Sequence, residues 1–598
     1  RTSREYCRSG NRVPPLVALT GTASRAVLKD IQRELRIDTL DAVITPKTFD
    51  RPELRFAVLH VPSQEKMAVL EGYLSKKLPT LFGLTPATFY QARGKGTYAG
   101  LVFCPHVNGP LGVQQVAREI RNALRIPLDT YSGKEPKRVD PRVWRLHKKR
   151  ATRAFKRNRI PLLVCTKAFG MGIDKPNIRY TVHLGVPPSI EAFYQEAGRA
   201  GRDRNPAYCT IIVSIDDMRR AERLLDPNTS VEEIDRIVRE TGWNGDDVTH
   251  TLYFHARSFR GIAEEKRNVA IVLSKIPDLE RPGSFVLSIP EEIALSCTKE
   301  EDREPREVVE KAIYRLLLVG VLSDYTIDYA TKTFTLHISG ATKEEIVEAY
   351  GKYVAGYLTS RRSVEMEKLS RYLHLGYRDF VLQAVELLLH FLYDVIEKGR
   401  RRAFYEMLLA CRDARSDQDI RQRILRYLET TWYSEALEEL VRDESGGLVR
   451  SMDIFDSLNS LQEIAELRGQ VSRYLESYPD HPALLMLRSL TEAFASDGDD
   501  AIAWQNFKAA IVSAKENYQT SENALLEFAI WATMRVFTCN PELARRFVRE
   551  LAASRDRHYL RSLLMRLPAS LADEVAWILL GKLGTECLAL LQHAVIAE

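Results

Sequence analysis

The sequence predicts an α/β unit on a parallel sheet, then a helix with a β wing, then an all-α region. Three observations predict it. Short apolar runs rich in β-branched residues alternate with helical stretches up to about Ile215, and such alternation calls for parallel strands. From Glu307 an amphipathic helix leads into two alternating strands. After Thr342 nearly everything carries helical period, and 598 residues are too many for one core.

The expected strands of the α/β part are Pro15–Leu19, Phe56–Val61, Gly100–Cys104, Pro161–Cys165, Tyr180–His183 and Cys209–Val213. Ser24–Leu35 reads as a helix with Ala26, Val27, Ile31 and Leu35 on one face, and the Gly/Pro/Thr-rich stretch Gly83–Gly96 as a loop. Asp216–Lys275 is helical and charged. Glu307–Leu318, then Val321–Tyr329 and Thr333–Ile338 around the turn Ala330-Thr331, resemble a winged-helix unit. The remainder is broken at Gly446-Gly447, Pro479–Pro482 and Ser496–Asp500. Ala483–Phe494, Ala501–Tyr518, Ala524–Phe537 and Pro541–Ala553 are expected to pair and bury Leu485, Trp504, Phe507, Phe528 and Trp531. Such helical arrays offer a docking face for a protein partner.

Composition narrows the class. Eighty-six Lys and Arg against 80 Asp and Glu leave a net charge of +6, too little to name a partner. The 8 cysteines lie far apart with no C-x-x-C pair, which argues against a disulfide framework or a cysteine-rich zinc site and favours a reducing cytoplasm. No apolar run approaches the roughly 18–20 residues of a membrane span. The best stretch, Phe380–Val395, is interrupted by Gln383, Glu386, His390 and Asp394 and reads as a buried helix. The chain opens Arg-Thr-Ser-Arg-Glu, as the middle of a longer protein would.

Chemistry concentrates in two blocks. Leu162-Leu-Val-Cys-Thr-Lys-Ala-Phe-Gly-Met-Gly-Ile-Asp-Lys-Pro176 is a buried strand entering a Gly-rich turn, where Gly170 and Gly172 permit close backbone approach. There Thr166 can donate to a phosphate, and Asp174 can accept from a ribose hydroxyl or hold the turn. Gln195-Glu-Ala-Gly-Arg-Ala-Gly-Arg-Asp203 sets Arg199 and Arg202 three apart, expected on one face of a helix, among small residues. Two permanently charged, forked guanidiniums suit a polyphosphate.

These blocks, in this order, closely resemble motifs V and VI of superfamily 2 helicases, specifically the RecQ family. Leu19-Thr-Gly-Thr-Ala23 is similar to motif III, Phe49-Asp-Arg-Pro-Glu-Leu54 to the linker between the two lobes, and Gly100-Leu-Val-Phe-Cys104 to motif IV. His183 through Tyr194 continues as the approach to motif VI. The resemblance covers about Val13–Val213 and implies a RecA-like helicase lobe. By resemblance, Arg202 contacts the γ-phosphate of ATP and Arg199 assists. Gln195 couples nucleotide to nucleic acid, with Gly170, Gly172 and Asp174 at the nucleotide, while Thr20 and Thr22 of motif III couple the two sites. ATP and Mg2+ are the implied cofactors, held mainly by the first lobe.

This sequence also departs from the family. The phosphate loop Gly-x-x-x-x-Gly-Lys-Ser/Thr and the acidic Mg-binding box are absent from these 598 residues, which carry only the last part of a first lobe, up to about Pro46. The family's four-cysteine zinc module has no counterpart after Val213. His250 and His255 have no cysteine neighbours, so no metal site and no zinc are expected. The expected organisation is 1–53 as the end of the first lobe and linker, 54–215 as the second lobe, 216–300 as a helical connector, 301–340 as the winged-helix-like unit, 341–445 as a helical domain and 446–598 as a helical repeat-like domain.

Lys134–Arg159 holds twelve Lys and Arg against two acids. A stripe this dense beside a helicase lobe points to phosphate-backbone contact, with Lys148, Lys149, Arg150 and Arg153 as candidates. Trp144 and Phe155 within it read as core anchors. Two functions fit. The first is an ATP-driven, RecQ-like DNA helicase moving 3′ to 5′, with this chain alone inactive. The second is a non-catalytic scaffold that clamps nucleic acid and docks proteins.

Overall fold

The computed structural model describes residues 17–18, 35, 49–170, 173–242, 245–298, 304–357, 361–428, 433–458, 460–553 and 557–596. Thr20, Thr22 and Gly172, and most of the strand and helix expected at Pro15–Leu19 and Ser24–Leu35, lie outside these residues. The chain divides into two compact units. The first takes the described residues of Arg1–Ala221, Thr241–Thr251 and Ala403–Glu429, and the second takes those of Glu222–Glu240, Leu252–Arg402 and Thr430–Glu598. Residues 403–429, read above as part of a separate helical segment, therefore cluster with the α/β unit.

The first unit is a six-stranded parallel sheet. Its strands are β1 (Leu54–His60), β2 (Ala99–Phe103), β3 (Leu128–Tyr131), β4 (Leu162–Cys165), β5 (Ile178–Leu184) and β6 (Ala207–Val213), in the order β1-β6-β5-β2-β4-β3. The central strands are buried on both faces, so β2 and β4 read as continuous apolar runs. Strand β3 was not expected from the sequence: Leu-Asp-Thr-Tyr is short and half polar, as an edge strand can be. Gly100 is fixed by close approach, because a Cβ there would sit 1.9 Å from Cζ of Tyr180, which is fully buried at the sheet centre.

Helices α1 (Val113–Leu124), α2 (Pro141–Lys156) and α3 (Ile190–Ala197) lie among the connections between these strands, and a further helix, α4 (Asp417–Leu428), joins the unit from far along the chain. Thr85, at the start of the stretch Gly83–Gly96, caps the short helix Pro86–Phe89, which drives Phe89 into the core and turns part of the expected loop into structure. Segment Thr241–Thr251 is anchored by Asp247, whose carboxylate accepts from the amide of Ser214 at 2.9 Å and from the buried ammonium of Lys66.

The second unit holds the helix Pro305–Leu318 and an antiparallel sheet of β7 (Gly283–Ser288), β8 (Leu322–Asp328) and β9 (Thr333–Ile338), in the order β7-β9-β8. The expected wing thus gains a third strand from the stretch read as a helical connector. Gly-Ser-Phe-Val-Leu-Ser, set off by Pro282, alternates and buries Leu287. Buried Glu265 ties this helix down, accepting from Lys311 at 2.6 Å, Arg315 at 3.1 Å and Tyr393 at 2.9 Å.

The rest is helical, as expected. Leu485, Phe507 and Phe528 are buried, but Trp504 and Trp531 are only partly so. Their rings have polar company: Arg546 lies 4.0 Å from the Trp504 ring centre, and the Trp531 indole donates to Asp456 at 3.2 Å. Among the described residues no helix is long and apolar enough to cross a membrane.

Candidate functional site

Strand β4 ends at Cys165, and Thr166 follows, buried, with its amide donating to the carbonyl of Tyr131 at 3.1 Å. The chain then turns through Gly170, whose φ of +139° is open to glycine and little else. Arg199 lies across that glycine: a Cβ there would sit 1.9 Å from the guanidinium carbon. The two halves of the expected site therefore meet at Gly170.

Helix α3 delivers the arginines. Ser189 caps its start by accepting from the amide of Ala192, and the helix closes at Gly198. Arg199 and Arg202 lie in the turn beyond and not on the helix face expected from the sequence, because the helix ends at Gly198 and Gly201 takes a φ of +63°. The helix is oriented from below by buried His183, whose Nε2 lies 3.0 Å from Glu196, with the imidazole stacked on Phe103.

Arg199 Nε is buried with no hydrogen-bond partner among the described residues. Burial pushes the pKa of this guanidinium down, against the opposing pull of Glu196. A desolvated cation with an unused donor is costly unless an anion reaches it. Arg202 is more open, and its Nη1 donates to Asp174 at 3.0 Å. With 86% of the Asp174 side chain exposed, that pair contributes only about 0–1 kcal/mol. Arg202 can exchange a carboxylate for a phosphate at little cost. Gln195 is exposed and donates to Glu191 at 3.2 Å.

Sequence reasoning missed Arg51. Its guanidinium donates to the carbonyls of Gly198 at 2.6 Å, Ala200 at 3.0 Å and Gly201 at 3.1 Å, and to Glu53 at 2.8 Å. One side chain thus grips the turn that carries both arginines. Its only local signal is the neighbouring Pro52, which stiffens the linker. Asp203, one residue past Arg202, is paired with Arg179 at 2.9 Å, which holds its pKa down at about 2.

The basic stripe forms α2 behind the cap Asp140, which accepts from Arg142 and Val143 amides. Arg145, Lys148, Lys149, Arg153, Lys156 and Arg157 line a groove of about 520 Å³ beside Tyr131. Among the described residues no carboxylate lines it. Lys148 donates to the carbonyl of Gly133 at 2.9 Å and stands 5.8 Å from the Tyr131 ring centre. Arg150 is exposed outside this groove, so three of the four expected residues share it. Trp144 and Phe155 are core, as read above.

The family described as the helicase conserved C-terminal domain matches residues 89–204. The ATP-dependent DNA helicase RecQ of Pasteurella multocida (strain Pm70) is 33% identical over 193 residues, 32% of this chain and 25% of the relative. Residues 89–204 therefore match a helicase C-terminal lobe, and this part of the chain is similar to RecQ helicases. The RecQ of Haemophilus influenzae is 31% identical over 224 residues, 37% of this chain and 31% of its own length. The probable ATP-dependent DNA helicase RecS of Bacillus subtilis (strain 168) is 28% identical over 229 residues, 38% of this chain and 40% of its own length. The chain spans a quarter to two fifths of these relatives. Mss116p DEAD-box helicase domain 2, solved bound to an RNA duplex, is similar over 44% of this chain and 84% of its own, at 14% identity and a TM-score of 0.22. The match 89–204 contains Thr166, Gly170, Asp174, Gln195, Arg199, Arg202 and helix α2.

Proposed function

We propose that this RecQ-like lobe works in an ATP-dependent DNA helicase that moves 3′ to 5′. Its arginines complete a nucleotide site when an opposing lobe, carrying the phosphate loop and the Mg2+ ligand, closes on it. The observation that carries the reading is the pairing of Gly170 with Arg199, with Arg202 three residues on in the same clamped turn. Among the described residues Arg199 Nε has an unused donor and Arg202 pairs with an exposed carboxylate, so both fit an incoming polyphosphate. Phosphoryl transfer needs positioning and charge neutralisation above all, and an arginine brought to the γ-phosphate supplies both. In this role Arg202 leaves Asp174 for the γ-phosphate. Arg199 stays over Gly170 and neutralises a neighbouring oxygen, Gln195 senses nucleotide from the lobe's edge, and Asp174 is freed toward the ribose.

Translocation requires a nucleic-acid track on the same lobe. The groove along α2 supplies six cations, and Thr166 adds a hydroxyl at the end of β4. Such a lobe acts in the cytoplasm or at the nucleoid, and the C-terminal helices serve as the docking face for a protein partner. The test is strand displacement by the protein with both lobes, on duplexes bearing a 3′ or a 5′ single-stranded tail. ATP-dependent unwinding of the 3′-tailed substrate alone supports the reading. Binding without ATP-dependent displacement on either substrate contradicts it.

A further inference from the structure

Among the described residues, strand β1 lies at the sheet edge, with β6 on one side only. On its other side an amide and a carbonyl that no strand satisfies are met by α4. Asp417 accepts from the amide of Phe56 at 2.5 Å, and buried Arg421 donates to the carbonyl of Leu54. The two side chains are four residues apart, on one face of the helix, and Arg421 Nη2 lies 3.5 Å from Asp417. Arg421 goes further into the linker, donating to Asp50 at 2.7 Å and to the carbonyl of Arg51 at 3.2 Å, with its guanidinium 5.3 Å from the Phe56 ring centre.

Arg51 is therefore held twice. Its carbonyl is fixed by Arg421, and its side chain grips Gly198, Ala200 and Gly201. An unbroken run of hydrogen bonds leads from α4, more than two hundred residues beyond the helicase motifs, to the turn bearing Arg199 and Arg202. A buried guanidinium spent on linker carbonyls stabilises little that an apolar side chain could not, but it fixes their direction.

We infer that Arg421, with Asp417, is a positioning residue for ATP hydrolysis: α4 braces the linker so that Arg51 holds the arginine pair at the height the phosphates require. This rests on the proposed role of Arg202. A brace of this kind acts on turnover and not on nucleotide affinity, because Arg202 meets the phosphate fully only in the transition state.

The experiment uses the protein with both lobes and measures DNA-stimulated ATP hydrolysis for Arg421→Met, Arg421→Lys, Asp417→Ala and Arg202→Ala. Arg421→Met is expected to lower kcat about tenfold or more, with KM for ATP within about twofold. Arg421→Lys, which keeps the charge but not the fork, recovers part of the loss. Asp417→Ala lowers kcat in the same sense and speeds hydrogen exchange at the Phe56 amide. If Arg421→Met cannot be obtained folded, the Lys and Asp417 variants carry the test. Wild-type kcat in folded Arg421 and Asp417 variants, beside an inactive Arg202→Ala, overturns the brace and leaves the site intact. Normal turnover by Arg202→Ala overturns both.

Discussion

Arg199 lies over Gly170 so closely that a single methyl group on the glycine would sit 1.9 Å from the guanidinium carbon. The residues are 29 apart in sequence, one closing a strand-to-turn connection and the other opening the turn after a helix. Gly170→Ala is expected to fail twice. Its φ of +139° is strained for alanine by roughly 1–3 kcal/mol, and Arg199 must leave its place. Differential scanning fluorimetry should show a midpoint lower by several degrees, and nucleotide hydrolysis by the two-lobe protein should be lost. An unshifted midpoint with normal hydrolysis would show that the approach is not a constraint.

The groove along α2 predicts non-specific, salt-sensitive DNA binding. Charge reversal of Lys148, Lys149 and Arg153 removes three of the six cations that line it. Affinity at low salt should fall by at least about tenfold, and the slope of log affinity against log salt should flatten by about 0.7–0.9 for each phosphate no longer neutralised. Reversal of Arg150, outside the groove, should do less. Equal losses from both would disperse the interface over the whole helix.

Much of this was readable from residue pattern, and the exceptions share a cause. Gly170, Arg199 and Arg202 stand out in the sequence because a turn and a charge need particular residues, and the structure brings Gly170 and Arg199 together. Arg51 does not, since the carbonyls it grips begin 147 residues away, and its local partner Glu53 and the neighbouring Pro52 say nothing of them. Strand β3 escaped because an edge strand needs few apolar residues, and β7 because its alternation sits among charged helices. Trp504 and Trp531 read as core from period alone, whereas both are only half-buried, one against a cation and one donating to a carboxylate.

Asp203 carries a pH signature. Its bond to Arg179 depresses its pKa from 3.8 to about 2, so the folded state favours the ionised form. That contribution is complete above about pH 4 and disappears as pH falls through about 2. Asp203→Asn should cost on the order of 1–2 kcal/mol at pH 7 and progressively less toward pH 2. Urea denaturation at pH 7 and pH 3 reads the difference. An equal cost at both would mean that the charge is irrelevant to the turn.

Zinc should be absent from the purified protein. Burial raises the thiols of Cys104, Cys165, Cys209 and Cys411, the last three fully buried, whereas zinc takes thiolates. Among the described residues no cluster of three or more His, Cys, Asp or Glu is placed to bind a metal. Elemental analysis should find well under one zinc per chain after dialysis. Stoichiometric zinc would require a site made from other residues.

The central claim is that Arg202 acts on phosphate during turnover and does little for the fold. Its one described ion pair is to a largely exposed carboxylate, so Arg202→Ala should leave the thermal midpoint nearly unchanged. In the protein with both lobes, ATP hydrolysis should fall by about 10³–10⁵, the range an arginine finger contributes. The 598-residue chain alone, which lacks a phosphate loop, should hydrolyse none. The decisive measurement is steady-state, DNA-stimulated ATP hydrolysis by wild type and Arg202→Ala side by side, with both midpoints recorded. A collapse in turnover at constant midpoint is the predicted result; normal turnover by Arg202→Ala, or robust Arg202-dependent hydrolysis by this chain alone, would contradict it.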